Sequence, residues 1–272
     1  QDRIIELMSR PAERRLVWHE YRKILVDEPR VNQGVTFWQD NRAALERAEA
    51  TYGVPPEIIV AIIGVETRYG RVTGNFGVVE ALSTLAFDYP PRAKFFRGQL
   101  TQHFLLSREE GKNPLSMKGS YAGAMGYGQF IPSSYRSYAV DFDGDGVRDI
   151  WSNKTDAIGS VANYFAENGW RGQRDVVERV SVAAETAELK SLANGALKPT
   201  RTVAEWRDLG VQVSAEQPAN RIATLMRMQQ PESAEYWLGF EDFYAITRYN
   251  HSRLYAMAVY QLSQAILERR EN

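Results

Sequence analysis

Residues 55–70 read Pro55-Pro56-Glu57-Ile58-Ile59-Val60-Ala61-Ile62-Ile63-Gly64-Val65-Glu66-Thr67-Arg68-Tyr69-Gly70. The two prolines suit the start of a helix, where the first N–H groups have no intrahelical partner. The apolar side chains of Ile58 to Val65 point around most of the circumference, which predicts a helix over Glu57–Tyr69 lying inside the protein. Gly70 is placed to end it. The run holds one carboxyl, Glu66, the only acidic residue between Glu57 and Glu80. Desolvation and the carbonyls of a helix C-terminus both push its pKa above the usual value of about 4.3. An acid still protonated near neutral pH is what glycosidic cleavage needs, because the leaving oxygen must receive a proton. A glutamate paired with Arg68 or a hydroxyl, serving only the core, fits the same residues.

Outward from this helix the pattern stays helical. From Arg3 to about Tyr52 apolar residues recur at helical spacing, as in Leu16, Tyr21, Ile24 and Leu25, then Val35, Trp38, Leu45 and Ala48. Further helices are predicted through Leu82–Leu85, Arg92–Arg108, Pro132–Val140 and Asp156–Asn168, separated by Gly- and Pro-containing loops. After Gly172 the pattern changes: Val176, Val180 and Val182 suggest strand, Thr202 begins a short helix, and Val211, Val213 and Ile222–Met228 return to β. Ser252–Arg269 is again an amphipathic helix, with Asn250 as its expected N-cap. The fold class is therefore mainly α, of α+β type. It is expected to comprise a helical domain over 1–54 completed by a C-terminal helix over 251–272, a catalytic core over 55–171, and a small α/β insertion over 172–245.

The 272 residues carry 33 Lys and Arg against 34 Asp and Glu, so no global field recruits nucleic acid or an anionic membrane. No apolar stretch reaches the roughly 18 residues of a membrane span, and the polar start at Gln1 is not a secretory signal. Zero cysteines exclude disulfides, thiolate zinc sites and cysteine nucleophiles. His19, His103 and His251 are scattered without metal or triad spacing, so a metallohydrolase or serine hydrolase has no support.

Two loops carry chemistry. Lys118 to Tyr135, centred on Ser120, Gly123, Gly126, Gly128 and Gln129, mixes small residues with hydroxyls, amides and aromatic rings. Small residues let a ligand approach the backbone, polar groups match sugar hydroxyls, and rings cover their C–H faces. A plain Gly-rich connection between helices is the alternative. In the second loop Asp141, Asp143 and Asp145 occupy positions 1, 3 and 5 of an EF-hand pattern, with Gly146 at 6, the Val147 carbonyl at 7 and Asp149 at 9. Ser152 stands at 12, where a bidentate Glu is usual. Many irregularly spaced carboxylates favour structural Ca2+ over Mg2+.

Val65–Gly70, Ala124–Phe130, Asp141–Gly146 and Thr247–Ser252 together resemble, in order, the lytic murein transglycosylase B family. The resemblance runs from about Tyr21 to Leu262. It implies a lysozyme-like core with Glu66 as catalytic acid and then base. Ser120 and Gln129 match substrate-contacting groove residues, Ser120 beside the N-acetyl group of N-acetylmuramic acid. Tyr164, Tyr249, Asn250 and Tyr255 match other groove positions, and Tyr21 and Arg92 do so in less distinctive sequence. The family's calcium loop ends on an aspartate corresponding to Asp156, so either Asp149 or Asp156 closes the site, or Asp156 merely caps its helix. The implied substrate is the peptidoglycan glycan strand, cut between N-acetylmuramic acid and N-acetylglucosamine to leave 1,6-anhydromuramoyl ends. No second acid carries a matching motif, which fits assistance by the substrate's acetamide in place of a second carboxylate. A lysozyme-type hydrolase and a non-catalytic peptidoglycan-binding scaffold are the alternatives. The implied location is the periplasm of a Gram-negative bacterium, free or lipid-anchored through residues preceding this chain, and cell-wall synthesis proteins are candidate partners.

Overall fold

The computed structural model describes residues 1–9, 16–172, 175–193 and 195–271. Residues 10–15, inside the first helical run, and 173, 174 and 194, in the expected insertion, lie outside the described residues. The N-terminal run forms α1 (Asp2–Met8), α2 (Trp18–Leu25), α3 (Glu28–Asp40) and α4 (Arg42–Tyr52). Asp27 starts α3 by accepting from the Arg30 N–H at 2.8 Å, with Pro29 in the first turn.

The stretch read first becomes α5 (Pro56–Thr67), in which Ile58 to Gly64 are all buried. It is the central helix, packed by α3, α4, α9 (Lys154–Glu167) and α13 (Arg253–Glu271). Its end departs from expectation. Gly70 does not terminate it; the chain turns left-handed earlier, at Arg68 (φ 48°), and stays so through Tyr69 (φ 60°) and Gly70 (φ 85°). Tertiary contacts, not a glycine, impose the turn: the Tyr69 ring fills a slot against Gly34 and Gly64, where a Cβ on either would lie 2.5 Å from its hydroxyl.

A second core cluster joins α1 to α6 (Val78–Phe87), α7 (Ala93–Glu109) and α8 (Pro132–Tyr138), around Leu82, Phe96, Leu106 and Tyr135. Helix α6 is longer than the expected Leu82–Leu85. The two-residue strands β1 (Phe76–Gly77) and β2 (Lys118–Gly119) pair antiparallel beside it.

Five antiparallel strands form the α/β region in the order β4-β6-β7-β3-β5: β3 (Val177–Val182), β4 (Arg201–Thr202), β5 (Val211–Gln212), β6 (Ile222–Gln229) and β7 (Ala234–Gly239). Strand β6 is covered on both faces, by a separate cluster at Ala223 and Leu225 and by the main core at Met226 and Met228. Thr202 caps α11 (Val203–Asp208) in a reciprocal box with Glu205. Strand β7 and helices α10 (Ala187–Ala193) and α12 (Glu241–Tyr249) were not anticipated. Asn250 is not the N-cap of α13; it ends α12, and Ser252 caps α13 through its hydroxyl, which accepts from the Tyr255 N–H at 3.3 Å. No single helix among the described residues is long and apolar enough to cross a membrane.

Candidate active site

Glu66 lies on the last turn of α5, and its Oε1 accepts a hydrogen bond from the hydroxyl of Tyr255, on the first turns of α13. Arg68, the partner weighed for Glu66 from the sequence, turns away: its Nη2 donates to both Asp27 carboxylate oxygens, at 2.8 and 3.0 Å. Burial, with the Glu66 charge adding to it, holds the phenols of Tyr249 and Tyr255 well above their usual pKa, so both stay neutral hydrogen-bond donors. Tyr21, buried on α2, belongs to the same core cluster as Tyr255.

The Gly-rich loop is tied to the end of α5. The Thr67 hydroxyl, itself buried, donates to the Tyr127 carbonyl at 3.0 Å and accepts from the Gly70 N–H at 3.0 Å. Tyr127 covers Gly70 so closely that a Cβ there would lie 2.2 Å from its ring. The loop folds back on itself through the paired Met125 and Phe130 backbones, with Gln129 left-handed at φ 50°. The Gln129 amide nitrogen donates to the Thr73 and Gly126 carbonyls at 3.2 and 3.1 Å, which leaves the amide oxygen as its acceptor. The Ser120 hydroxyl accepts from the N–H groups of Ala122 and Ala124, at 3.3 and 3.1 Å, so its own proton is the part left to donate.

Tyr164 and Tyr249 brace this loop from behind, their rings 4.6 Å apart between centroids. Tyr164 donates to the Arg248 carbonyl at 2.6 Å and Tyr249 to the Gly128 carbonyl at 2.5 Å, so both hydroxyl protons are taken up by backbone. Asn250 and Arg92 line a cleft of about 980 Å³ together with Tyr121, Tyr89 and Arg253. The structure thus gathers Glu66, Tyr255, Tyr249 and Tyr164 with the Gly-rich loop, and places Asn250 and Arg92 on a cleft whose lining residues do not include Glu66, Ser120 or Gln129. The Asp27–Arg68 pair and the Tyr127 lid over Gly70 were missed from the sequence. Residues 41 positions apart give no local signal of pairing.

In the acidic loop, between α8 and α9, ligand oxygens of Asp141, Asp143 and Asp145 lie within 4.8 Å of one another. Gly144 (φ 81°) and Gly146 (φ 90°) supply left-handed turns that aim them together. Asp141 accepts from the N–H groups of Gly146, Gly144 and Asp145, which hold its pKa below the usual carboxylate value despite opposing desolvation. Three carboxylates on a glycine-turned loop form a hard-oxygen donor set that suits a divalent cation such as calcium. Asp149 and Asp156 are outside that trio. Asp149 accepts from the Trp151 N–H, the Ser152 N–H and the Ser152 hydroxyl. Asp156, fully buried, accepts from the Phe142 and Asp149 N–H groups at 2.7 and 2.8 Å. Asn153, not Asp156, caps α9.

A family model described as the transglycosylase SLT domain matches residues 1–264. The chain is 48% identical over 250 residues to the membrane-bound lytic murein transglycosylase B of Escherichia coli strain K12, covering 92% of this chain and 67% of that one. The soluble lytic transglycosylase SltB1 of Pseudomonas aeruginosa superposes with a TM-score of 0.93 at 49% identity, over 100% of this chain and 90% of that one. The Escherichia coli lytic transglycosylase Slt35, solved with bulgecin A, superposes with a TM-score of 0.89 at 45% identity, over 100% and 85% of the two chains. Slt35 has also been solved with calcium, with a TM-score of 0.87 at 44% identity. The expected lysozyme-like, mainly helical fold is that of these structures.

Proposed function

We propose, from the premise that the chain belongs to the SLT-domain family of transglycosylases and is a lytic murein transglycosylase, that Glu66 alone serves as its acid and base. The observation that carries this reading is the bond from Tyr255 to Glu66 at the open end of the buried helix. The neighbouring acids in sequence are engaged elsewhere or distant along the helix. Glu57 starts the same helix nine residues earlier, about 14 Å away at 1.5 Å per residue, beyond the ~6.5–9.5 Å of an inverting pair. Glu80 instead accepts from Gln1.

With one carboxyl, the substrate supplies the nucleophile. Glu66 gives its proton to the glycosidic oxygen as the C1–O bond of N-acetylmuramic acid breaks, while that sugar's acetamide oxygen bonds to C1. The Glu66 carboxylate, held by the Tyr255 hydroxyl, next takes the proton of the sugar's C6 hydroxyl. The C6 oxygen attacks C1 and the acetamide oxygen leaves, giving a 1,6-anhydromuramoyl end with no water consumed. Ser120, with its proton left to donate, orients the acetamide, while Gln129, Tyr164, Tyr249, Asn250 and Arg92 shape the groove for the glycan strand.

The acidic loop acts as an EF-hand-like structural calcium site. Asp141, Asp143 and Asp145 would hold the ion, with the Val147 carbonyl as a further ligand. Asp156, whose oxygens take loop N–H groups, ties the loop to α9, and Asp149 orders its exit. The ion would supply rigidity between α8 and α9. The substrate implies action in a Gram-negative periplasm. Within this reading residues 1–54 and 251–272 flank a core over 55–171, and 172–245 is an inserted unit. The separate apolar cluster from Val180 to Phe240 supports that division.

Glu66→Gln tests the assignment, because the amide keeps the size but transfers no proton. Turnover of purified murein should fall by about 10²- to 10⁴-fold, and retention of more than about a tenth removes Glu66 from the role. Digestion in ¹⁸O-labelled water separates the lyase from a lysozyme-type hydrolase: unlabelled anhydromuramoyl products support the former, and label at C1 the latter.

A further inference from the structure

Arg68 and Tyr69 are two of the three non-glycine residues with positive φ among the described residues, and they follow Glu66 by two and three positions. A non-glycine residue keeps such a conformation only where its surroundings over-determine it. Both are gripped from one place, the first turn of α3. Asp27 takes the Arg68 guanidinium on both oxygens, and the Tyr69 hydroxyl donates to the Arg30 carbonyl at 3.0 Å. Asp27 is also the cap that fixes that turn, through the Arg30 N–H. Glu66 stands on the final turn of α5, two residues before this left-handed segment, so whatever anchors the segment anchors the end of the helix that carries it. From the other side, Tyr255 of α13 holds the carboxyl itself.

We infer that Asp27 is a positioning residue, which through Arg68 holds the left-handed turn that anchors the end of α5 and with it the Glu66 carboxyl. The helices outside the core thereby take part in catalysis: α3 fixes the turn and α13 fixes the carboxyl. This rests on the reading of Glu66 as the acid. The pair is partly exposed, with side-chain exposure of 36% for Arg68 and 25% for Asp27, so its contribution to overall stability is small. Its contribution to geometry is separate from that, because a misplacement of about 1 Å in a catalytic group costs up to about 100-fold in rate.

Two substitutions cut the link without removing the cap or the helix. Asp27→Asn keeps a good N-cap and loses the charge that faces Arg68. Arg68→Gly relieves the left-handed strain while it frees the turn. Both should lower kcat on soluble glycan strands by about 10- to 100-fold at unchanged KM, and the double variant should be no worse than either single one. Arg68→Gly should do so with a melting temperature equal to or above that of the parent, a combination that a purely structural role does not give. Parental kcat in either variant, losses that multiply in the double variant, or losses that track a lower melting temperature overturn the inference. Glu66→Gln is measured alongside. If it is inactive while Asp27→Asn is fully active, only the positioning role falls; if it is active, the reading of Glu66 falls with it.

Discussion

The Tyr255 hydroxyl donates to Glu66 Oε1 across 189 positions of sequence, joining the last long helix of the chain to the end of its central one. The donor is a phenol whose pKa burial holds well above the usual tyrosine value, so it stays a neutral donor to the carboxylate. Its value is greatest after Glu66 has given up its proton, when a full charge develops beside it. Tyr255→Phe keeps the ring and removes the donor. A hydrogen bond to a charged group contributes about 1.5–3 kcal/mol, so kcat should fall roughly 10- to 150-fold with the fold intact by circular dichroism. A kcat within twofold of the parent would mean that the bond is architectural only.

The acidic loop gives a prediction independent of catalysis. Three backbone N–H groups hold the Asp141 carboxylate in place, with Asp143 and Asp145 oxygens within 4.8 Å. A cation that binds only the folded state stabilises it by about 2.7 kcal/mol at a hundredfold excess over Kd. Calcium should therefore raise the melting temperature of the parent, and Asp141→Ala with Asp145→Ala should abolish that rise. A melting temperature that ignores calcium in the parent protein would sink the site.

Stability should also fall on mild acidification, and His103 supplies the reason. The ring is fully buried on α7, with Nε2 3.0 Å from the Pro114 carbonyl, and burial lowers its pKa below the usual imidazole value against the opposing effect of that bond. In the unfolded chain the ring takes its proton near pH 6.5, whereas the folded chain resists it to lower pH. The unfolded state then binds more protons, so this contribution is intact above pH 6.5 and is lost as pH falls toward the folded-state value. One such group gives at most about 1.4 kcal/mol per pH unit. Urea unfolding of the parent and His103→Gln at pH 7.5 and 5.5 measures it; equal pH dependence in the two proteins excludes His103.

How much of this was legible in the chain depended on whether the cause was local. Helix α5 was readable because Pro55, Pro56 and the run from Ile58 to Val65 all lie within one segment. Its end was not, because Arg68 and Tyr69 take their left-handed turn from contacts with Asp27 and Arg30, 39 to 41 positions away. The trio Asp141, Asp143 and Asp145 was readable from spacing alone. The acceptance of loop N–H groups by Asp156 was not, since it needs α9 in place beneath the loop. Helix α12 escaped because its buried face includes Asp242, whose carboxylate accepts from the Arg171 N–H, and such a pairing cannot be inferred from periodicity.

Ser120 offers the sharpest test of substrate assistance. Its hydroxyl oxygen is already engaged by the Ala122 and Ala124 N–H groups, which fixes the rotor and leaves the proton as its outward contribution. If that proton orients the acetamide, its loss weakens the alignment demanded by the transition state more than the binding of the strand. Ser120→Ala should then lower kcat with KM nearly unchanged, the pattern of an interaction made chiefly in the transition state. A control is needed because alanine also strips an acceptor from the loop. Ser120→Thr, which restores a hydroxyl at the same position, should recover much of the rate. The decisive comparison uses a strand whose N-acetyl groups have been removed, leaving free amines that cannot close on C1. The parent enzyme should fail to cleave it, and Ser120→Ala should then be indistinguishable from the parent. Efficient cleavage of the deacetylated strand would show that the acetamide is not the nucleophile and that Ser120 serves the loop alone.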